Sequence, residues 1–292
     1  MNASALPFCR RSVIRRLVCI ALAMLPALAV QSWRLDPGLP LRLLMLCAFA
    51  APVALLLERY ARRLSLAPVR PDREGAASLA LAPQVTPVGM TLLDALIQAA
   101  LLAALWPATV VVWPAVVALV LAWIVQRLLG GWAVNPFPPA LLALAVAVLV
   151  ARALMGADFT PPLVSLIDAT WATLAWLAMG LMLMLLRLWP VRAPLAFLVP
   201  VTLVLAHGGI ASSGFVAAAI VAGFVLADTR QLPATASGQT IVGALAGLGS
   251  AALWFAGAPP VAIAFPLLAV YALAPWIQQR TLARPPARTP LA

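Results

Sequence analysis

Eight polar side chains stand inside or at the ends of long apolar stretches: Asp94, Gln98, Asp168, Thr170, Thr173, Thr202, His207 and Gln239. A polar group in hydrocarbon costs free energy unless it is hydrogen-bonded, paired or hydrated, so chemistry would sit at these positions. Only the two aspartates can carry charge there, fewer ionisable groups than a proton or cation relay usually needs. The plainer reading of both is a helix-end carboxylate that accepts bonds from backbone amides. His207 precedes Gly208-Gly209 and reads as a terminal histidine satisfied locally. Thr173 has an equally plain reading, a helix threonine whose hydroxyl bonds a carbonyl one turn back. No phosphate-cradling glycine loop followed by lysine is present, and neither H-E-x-x-H nor G-x-S-x-G occurs. No catalytic residue is therefore assigned, and any reaction must borrow its chemistry from a cofactor or from partner subunits. Cys9, Cys19 and Cys47 lack metal-ligand spacing and have no histidine nearby, which leaves no metal site and points to unpaired thiols.

The elements that position these groups are membrane helices. The chain is 65% hydrophobic with 9% charged residues, too apolar for a soluble domain of 292 residues. Its mean hydropathy is +1.06. All nineteen basic residues are arginines, and they cluster between apolar stretches. The net charge of +11 thus belongs to loops beside anionic lipid headgroups and does not indicate nucleic acid.

A crossing needs about 20 apolar residues. On that rule ten spans are expected, at 14–32, 39–57, 91–106, 108–128, 138–155, 163–186, 193–207, 211–227, 239–256 and 260–278. With both termini cytoplasmic, sixteen of the nineteen arginines fall in inner segments and only Arg34, Arg42 and Arg152 fall outside. The expectation is an all-α, polytopic integral membrane helix bundle of about ten transmembrane helices in a bacterial inner membrane, forming a single membrane domain over 1–292. The start resembles a signal peptide, with Arg10, Arg11, Arg15 and Arg16 before an apolar run and Ala27-Leu28-Ala29 as a cleavage motif. The many later spans favour an uncleaved first helix. Residues 58–90, rich in arginine and proline, read as a cytoplasmic juxtamembrane segment, either lying on the headgroups or a solvated linker. No fixed-period repeat is visible, although spans 1–5 and 6–10 could be structurally related halves.

Three irregular stretches interrupt the helices: Gly130 to Ala140, Ile167 to Thr173, and Asp228 to Gly238. Ordinary turn chemistry accounts for each. Pro138 and Pro139, for example, can open span five, where a missing amide does no harm.

Taken in order, these stretches resemble the D-type membrane subunit of the Rnf electron-transport complex, whose family includes the B-type subunit of the sodium-translocating NADH:quinone oxidoreductase. Gly130-Gly131-x-x-x-Asn135-Pro136-Phe137-x-Pro139-Ala140 is similar to the family's G-G-x-G-x-N-P-F-N-P-A segment. Asp228, Pro233, Thr235 and Gly238 coincide with D-P-x-T-S-P-x-T-x-x-G. Ile241-Val242-Gly243-Ala244, Gly257, Pro259, Phe265 and Pro275 follow the closing helices. Arg15-Arg16 with Leu25-Pro26-Ala27-Leu28 is similar to the family's opening, and Arg192-Ala193-Pro194 to its W-R-I-P turn. The resemblance covers about residues 12 to 280.

It implies a ten-helix bundle holding flavin: FMN joined through its phosphate to a threonine, often with riboflavin. The threonine ends a motif close to D-G-x-[ST]-G-A-T, which falls here on Ile167 to Thr173. Thr173 then takes the attachment place, with Thr170 and Asp168 as neighbours. Trp171 replaces the motif's glycine and Asp168 stands one residue late. Pro138 and Tyr271 replace asparagines, and Thr229 replaces the proline after the aspartate.

Three functions follow as expectations. The first is a subunit of an Rnf-like, ion-translocating oxidoreductase complex that relays electrons through bound flavin, with the other subunits and membrane lipid as partners. The second is a scaffold subunit of such a complex without flavin. The third is a stand-alone secondary transporter coupled through Asp94 and Asp168. Thr173 would lie about ten residues, roughly 15 Å, into span six from its outer end.

Overall fold

The structure is a computed structural model that describes residues 6–65, 88–128, 137–156, 165–186, 188, 190–207, 213–226, 232–256 and 259–282. Among them are ten α-helices and no strand: α1 (Leu6–Arg34), α2 (Leu39–Ser65), α3 (Val88–Leu105), α4 (Trp113–Leu128), α5 (Pro139–Met155), α6 (Leu166–Leu185), α7 (Arg192–His207), α8 (Ser213–Ile220), α9 (Ala236–Phe255) and α10 (Pro259–Leu282). Six of them (α1, α2, α3, α6, α9 and α10) are long and apolar enough to cross a membrane, and the other four are shorter apolar helices. Their large apolar side chains are widely exposed, Leu22, Phe49, Leu174 and Leu248 among them, as lipid-facing residues must be. The chain is a multi-pass helical membrane protein.

Several helix ends differ from the hydropathy reading. The α2 helix continues to Ser65 instead of ending at 57, so the start of the expected 58–90 juxtamembrane segment is helical. The helix places Glu58 in the interior at 1% exposure. The rest of that segment up to 87 lies outside the described residues. The α4 helix starts at Trp113 rather than 108 because Trp106 to Val112 forms a turn. The Trp106 indole Nε1 donates to the Val110 carbonyl at 3.1 Å, and the Val110 amide donates to the Pro107 carbonyl at 3.3 Å. Pro138 and Pro139 open α5 as expected, and Gly156 closes it with φ 58°.

Two compact units divide the chain, Met1–Pro162 and Leu163–Ala292. Each holds five helices, and the same pairs pack in both: first with third, second with third, second with fourth, third with fifth and fourth with fifth. The first unit adds a slight contact between its first two helices. The halves that hydropathy could only hint at thus share one packing scheme.

In the second unit the backbones approach very closely. A Cβ at Gly243 of α9 would meet the Ala193 carbonyl oxygen of α7 at 2.2 Å. At Gly247 it would meet the Phe197 carbonyl oxygen at 2.5 Å and the Pro200 ring at 2.7 Å. This Gly-x-x-x-Gly face lets α9 seat on α7, where lipid tails provide no hydrophobic drive toward association. Gly180 of α6 and Gly223 meet in the same way, a Cβ at Gly180 coming within 2.9 Å of the Gly223 Cα. Beside them Trp176 and Phe224 pack edge to face with centroids 5.1 Å apart. Gly223 belongs to a π-helical turn, Val221–Val225, that ends α8. The buried Tyr271 hydroxyl of α10 donates to the Val225 carbonyl of that turn at 3.3 Å.

Gly243→Ala is expected to destabilise the protein by about 1–3 kcal/mol through overpacking against α7. Gly89→Ala, whose Cβ meets nothing within 4 Å, is expected to be neutral or to stabilise by roughly 0.5–1 kcal/mol. Unfolding of the purified variants in mixed detergent micelles measures both.

Candidate functional site

The α3 helix is the buried centre of the first unit. It packs against α1, α2 and α5, and 67% of its apolar window is buried, against 33% for α1 and 28% for α2. Its polar side chains therefore face protein and not lipid. Thr91, Asp94 and Gln98 lie at spacings of three and four residues, which puts them on one face. All three are buried. The Gln98 carbonyl oxygen accepts from the Ala140 amide in the first turn of α5 at 3.1 Å. Pro138 and Pro139 have no N–H, so this bond covers an early donor of α5 that the helix itself leaves without a partner. At the other end of α3, the Gln31 side-chain amide of α1 donates to the Ala104 carbonyl at 2.9 Å.

Next to Asp94, a cavity of about 20 Å³ opens between α2, α3 and α4. Its polar lining is Thr91, Asp94 and Gln126, and the Trp123 ring and the apolar Ala54 and Leu57 complete the wall. That volume admits about one water-sized guest. Glu58, Gln126 and Gln31 are not among the polar positions that the sequence singles out, and hydropathy places the first at the start of a linker. A signal for them exists in the chain: each closes an apolar run on a helix long enough to carry it inward.

At the turn from α1 to α2, Arg42 forms an ion pair with Asp36, and both side chains are almost fully buried. The other Asp36 oxygen accepts from the Gly38 amide at 3.1 Å, and the Asp36 carbonyl accepts from the Leu39 amide at 3.0 Å. Arg42, expected outside, is thus part of a closed turn.

The predicted flavin positions lie together on α6 in the second unit. Asp168 is in the first turn, half-buried. Thr170 is exposed, and Thr173 is half-buried with its hydroxyl donating to the Ala169 carbonyl at 2.7 Å. The helix starts at Leu166, so Thr173 sits about 10 Å from its N-terminal end, shallower than expected. Thr170 and Thr173 are neighbours across one turn, whereas Trp171 points about 160° away from Thr173 around the helix. The Trp171 indole is 55% exposed and does not cover the hydroxyl. Asp94 and Asp168 fall in different units.

The remaining polar positions are satisfied locally. Thr202 donates to the Leu198 carbonyl at 2.7 Å, and the Nδ1 of the exposed His207 lies 3.1 Å from the Leu203 carbonyl. Thr235 caps α9, its hydroxyl oxygen accepting from the Gly238 amide at 3.2 Å while donating to Thr281 at 2.7 Å. Gly238 is required there, since a Cβ would lie 2.6 Å from both Pro233 and the Thr235 oxygen. Gln239 reaches back to the Pro233 carbonyl at 3.2 Å. Pro233, Thr235 and Gly238, which carry part of the family resemblance, thus build one cap. Residues 129–136 and 227–231 of the other matched stretches lie outside the described residues, as do 208–212. No group of three metal-ligating side chains occurs among the described residues.

No protein-family model matches the chain, and no curated protein matches it.

Gln98→Leu is expected to cost about 1–3 kcal/mol, because the buried Ala140 amide is left without its acceptor. Thr202→Val, at an exposed site, serves as the near-neutral comparison in the same micellar unfolding measurement.

Proposed function

We propose that the chain is a membrane subunit of an Rnf-like, ion-translocating oxidoreductase complex in a bacterial inner membrane. In this reading all ten helices cross, both termini are cytoplasmic, and the partners are the other subunits of the complex. Two observations support it. The first is the ordered set of resembling stretches from Arg15 to Pro275. The second is the division into two five-helix units with one packing scheme. Structurally related halves of this kind are common among transport folds.

The observation that carries the cofactor assignment is the setting of Thr173. Its hydroxyl stands on the side of α6 away from the Trp171 indole, with Thr170 beside it. FMN joined through its phosphate to the Thr173 oxygen would cost one hydroxyl bond, worth roughly 1 kcal/mol. The Ala169 carbonyl would keep its main-chain helix partner. The residues present fit the group. A bound flavin supplies reversible electron transfer, and the protein's part is to hold the ring and set its surroundings. Thr173 anchors, Thr170 offers a second hydroxyl on the same side, and Asp168 places a carboxylate in the first turn. Riboflavin belongs to the same reading, with no residue assigned to it.

A flavin-free scaffold is the second reading, favoured by the bond that already satisfies the Thr173 hydroxyl. The two separate cleanly. Isolated with its native partners, the protein is expected to give a band with flavin fluorescence in a denaturing gel, and Thr173→Ala is expected to abolish it. A dark wild-type band in an intact assembly that also releases no flavin on denaturation establishes the scaffold instead.

A further inference from the structure

The buried cavity beside Asp94 is not absorbed by a flavin on α6. We propose that it is a binding site for one monovalent, water-sized cation, held by the Asp94 carboxylate, the Thr91 hydroxyl and the Gln126 amide carbonyl. Three features of the cavity lead there. Its volume of about 20 Å³ fits a single small guest. Its donors are all hard oxygens, which suit sodium and not a soft metal. The lining carries one carboxylate, which neutralises one positive charge and would leave a divalent ion with uncompensated charge in a low-dielectric setting.

Gln126 is the independent sign that a guest belongs there. It is 8% exposed, lines the cavity, and its amide has no hydrogen-bond partner among the described residues. Its amide is therefore available to a guest in the cavity. Asp94 already has a protein partner, and a carboxylate with four lone-pair sites can serve that partner and a cation together.

The location suits a translocase. Thr91 and Asp94 lie near the start of α3, Gln126 near the end of α4, and Leu57 in the second half of α2. On the proposed orientation all three helix ends face the cytoplasm, so the cavity is a port for an ion on that side. The inference rests on the ion-translocating reading for its purpose, and not on the flavin.

The test uses the full chain in lipid nanodiscs, titrated with sodium chloride against choline chloride at constant ionic strength while thermal unfolding is followed. If the guest is sodium, the wild type is stabilised saturably by sodium and not by choline. Asp94→Asn removes the effect, and Gln126→Leu and Thr91→Val weaken the apparent affinity about tenfold or more. Thr202→Val, in the other unit, leaves it unchanged. If the site instead takes up a proton on the Asp94 carboxyl, sodium has no effect. The infrared band of a protonated carboxylic acid is then present in the wild type and absent in Asp94→Asn.

A wild type indifferent to sodium and lacking that band holds water only, and the proposal fails. It also fails if Asp94→Asn keeps the full sodium response. Should Asp94→Asn not fold, Gln126→Leu and Thr91→Val decide the matter, unchanged affinity in both overturning the site. Flavin fluorescence read on the same preparations separates the two ideas. A dark protein that binds sodium removes the relay and keeps the site, and a fluorescent one without a cation response does the reverse.

Discussion

In hydrocarbon a polar atom has no water to fall back on, and that constraint orders this structure. Apolar side chains gain little by leaving lipid for protein, so helix association must come from close backbone packing and from polar groups that find each other. The two units meet the demand by different means. In the second, glycines bring α9 onto α7 and α6 onto the π-helical turn, at separations that a single Cβ would break. In the first, side-chain amides connect helices to main chain: Gln31 reaches the end of α3, and Gln98 reaches the start of α5.

One packing scheme is thus held by two kinds of chemistry, and the division has a consequence for function. Glycine contacts are selective for shape and leave no charge behind. The buried polar groups of the first unit hold a carboxylate away from lipid, where it can meet a cation only from inside the protein. The second unit offers something else. Its π-helical turn closes with the Leu226 amide donating to the Val221 carbonyl at 2.9 Å, and Tyr271 secures the same turn from α10. Such turns are frequent at functional sites because they displace main chain locally without ending a helix. The polar interior lies in one unit and the close glycine contacts in the other.

Much of the fold was legible in the residues. The apolar runs gave the helices, Pro138 and Pro139 gave the start of α5, and the lone histidine was expected to be satisfied at a helix end, as it is. What apolar runs cannot give is the direction each face looks, since lipid and protein interior accept the same side chains. Leu102 is fully buried and Leu22 is 60% exposed, yet nothing local distinguishes them. The same blindness hides Glu58. It sits beside Arg59 in a polar neighbourhood that reads as linker, but the helix runs on to Ser65 and turns it inward. The Gly243 and Gly247 pair was in plain view, and its spacing marks a close-packing face without saying which helix meets it.

The departures from the resembling family are best weighed by what each side chain does in place. Pro138 stands where the family has asparagine, and it sits at φ −61° just before α5, a position proline suits without strain. Tyr271 also stands where the resembling family has asparagine, and it supplies a buried donor to a carbonyl of the π-helical turn. Trp171 replaces a glycine two residues before the threonine that would carry flavin. Two residues along a helix rotate a side chain to nearly the opposite side, so bulk at 171 is directed away from Thr173. A wide ring on the far face can restrict what approaches that face of α6 without touching the bonded Thr173 hydroxyl. The substitution therefore changes the far face of α6 and leaves the bond from Thr173 to the Ala169 carbonyl in place.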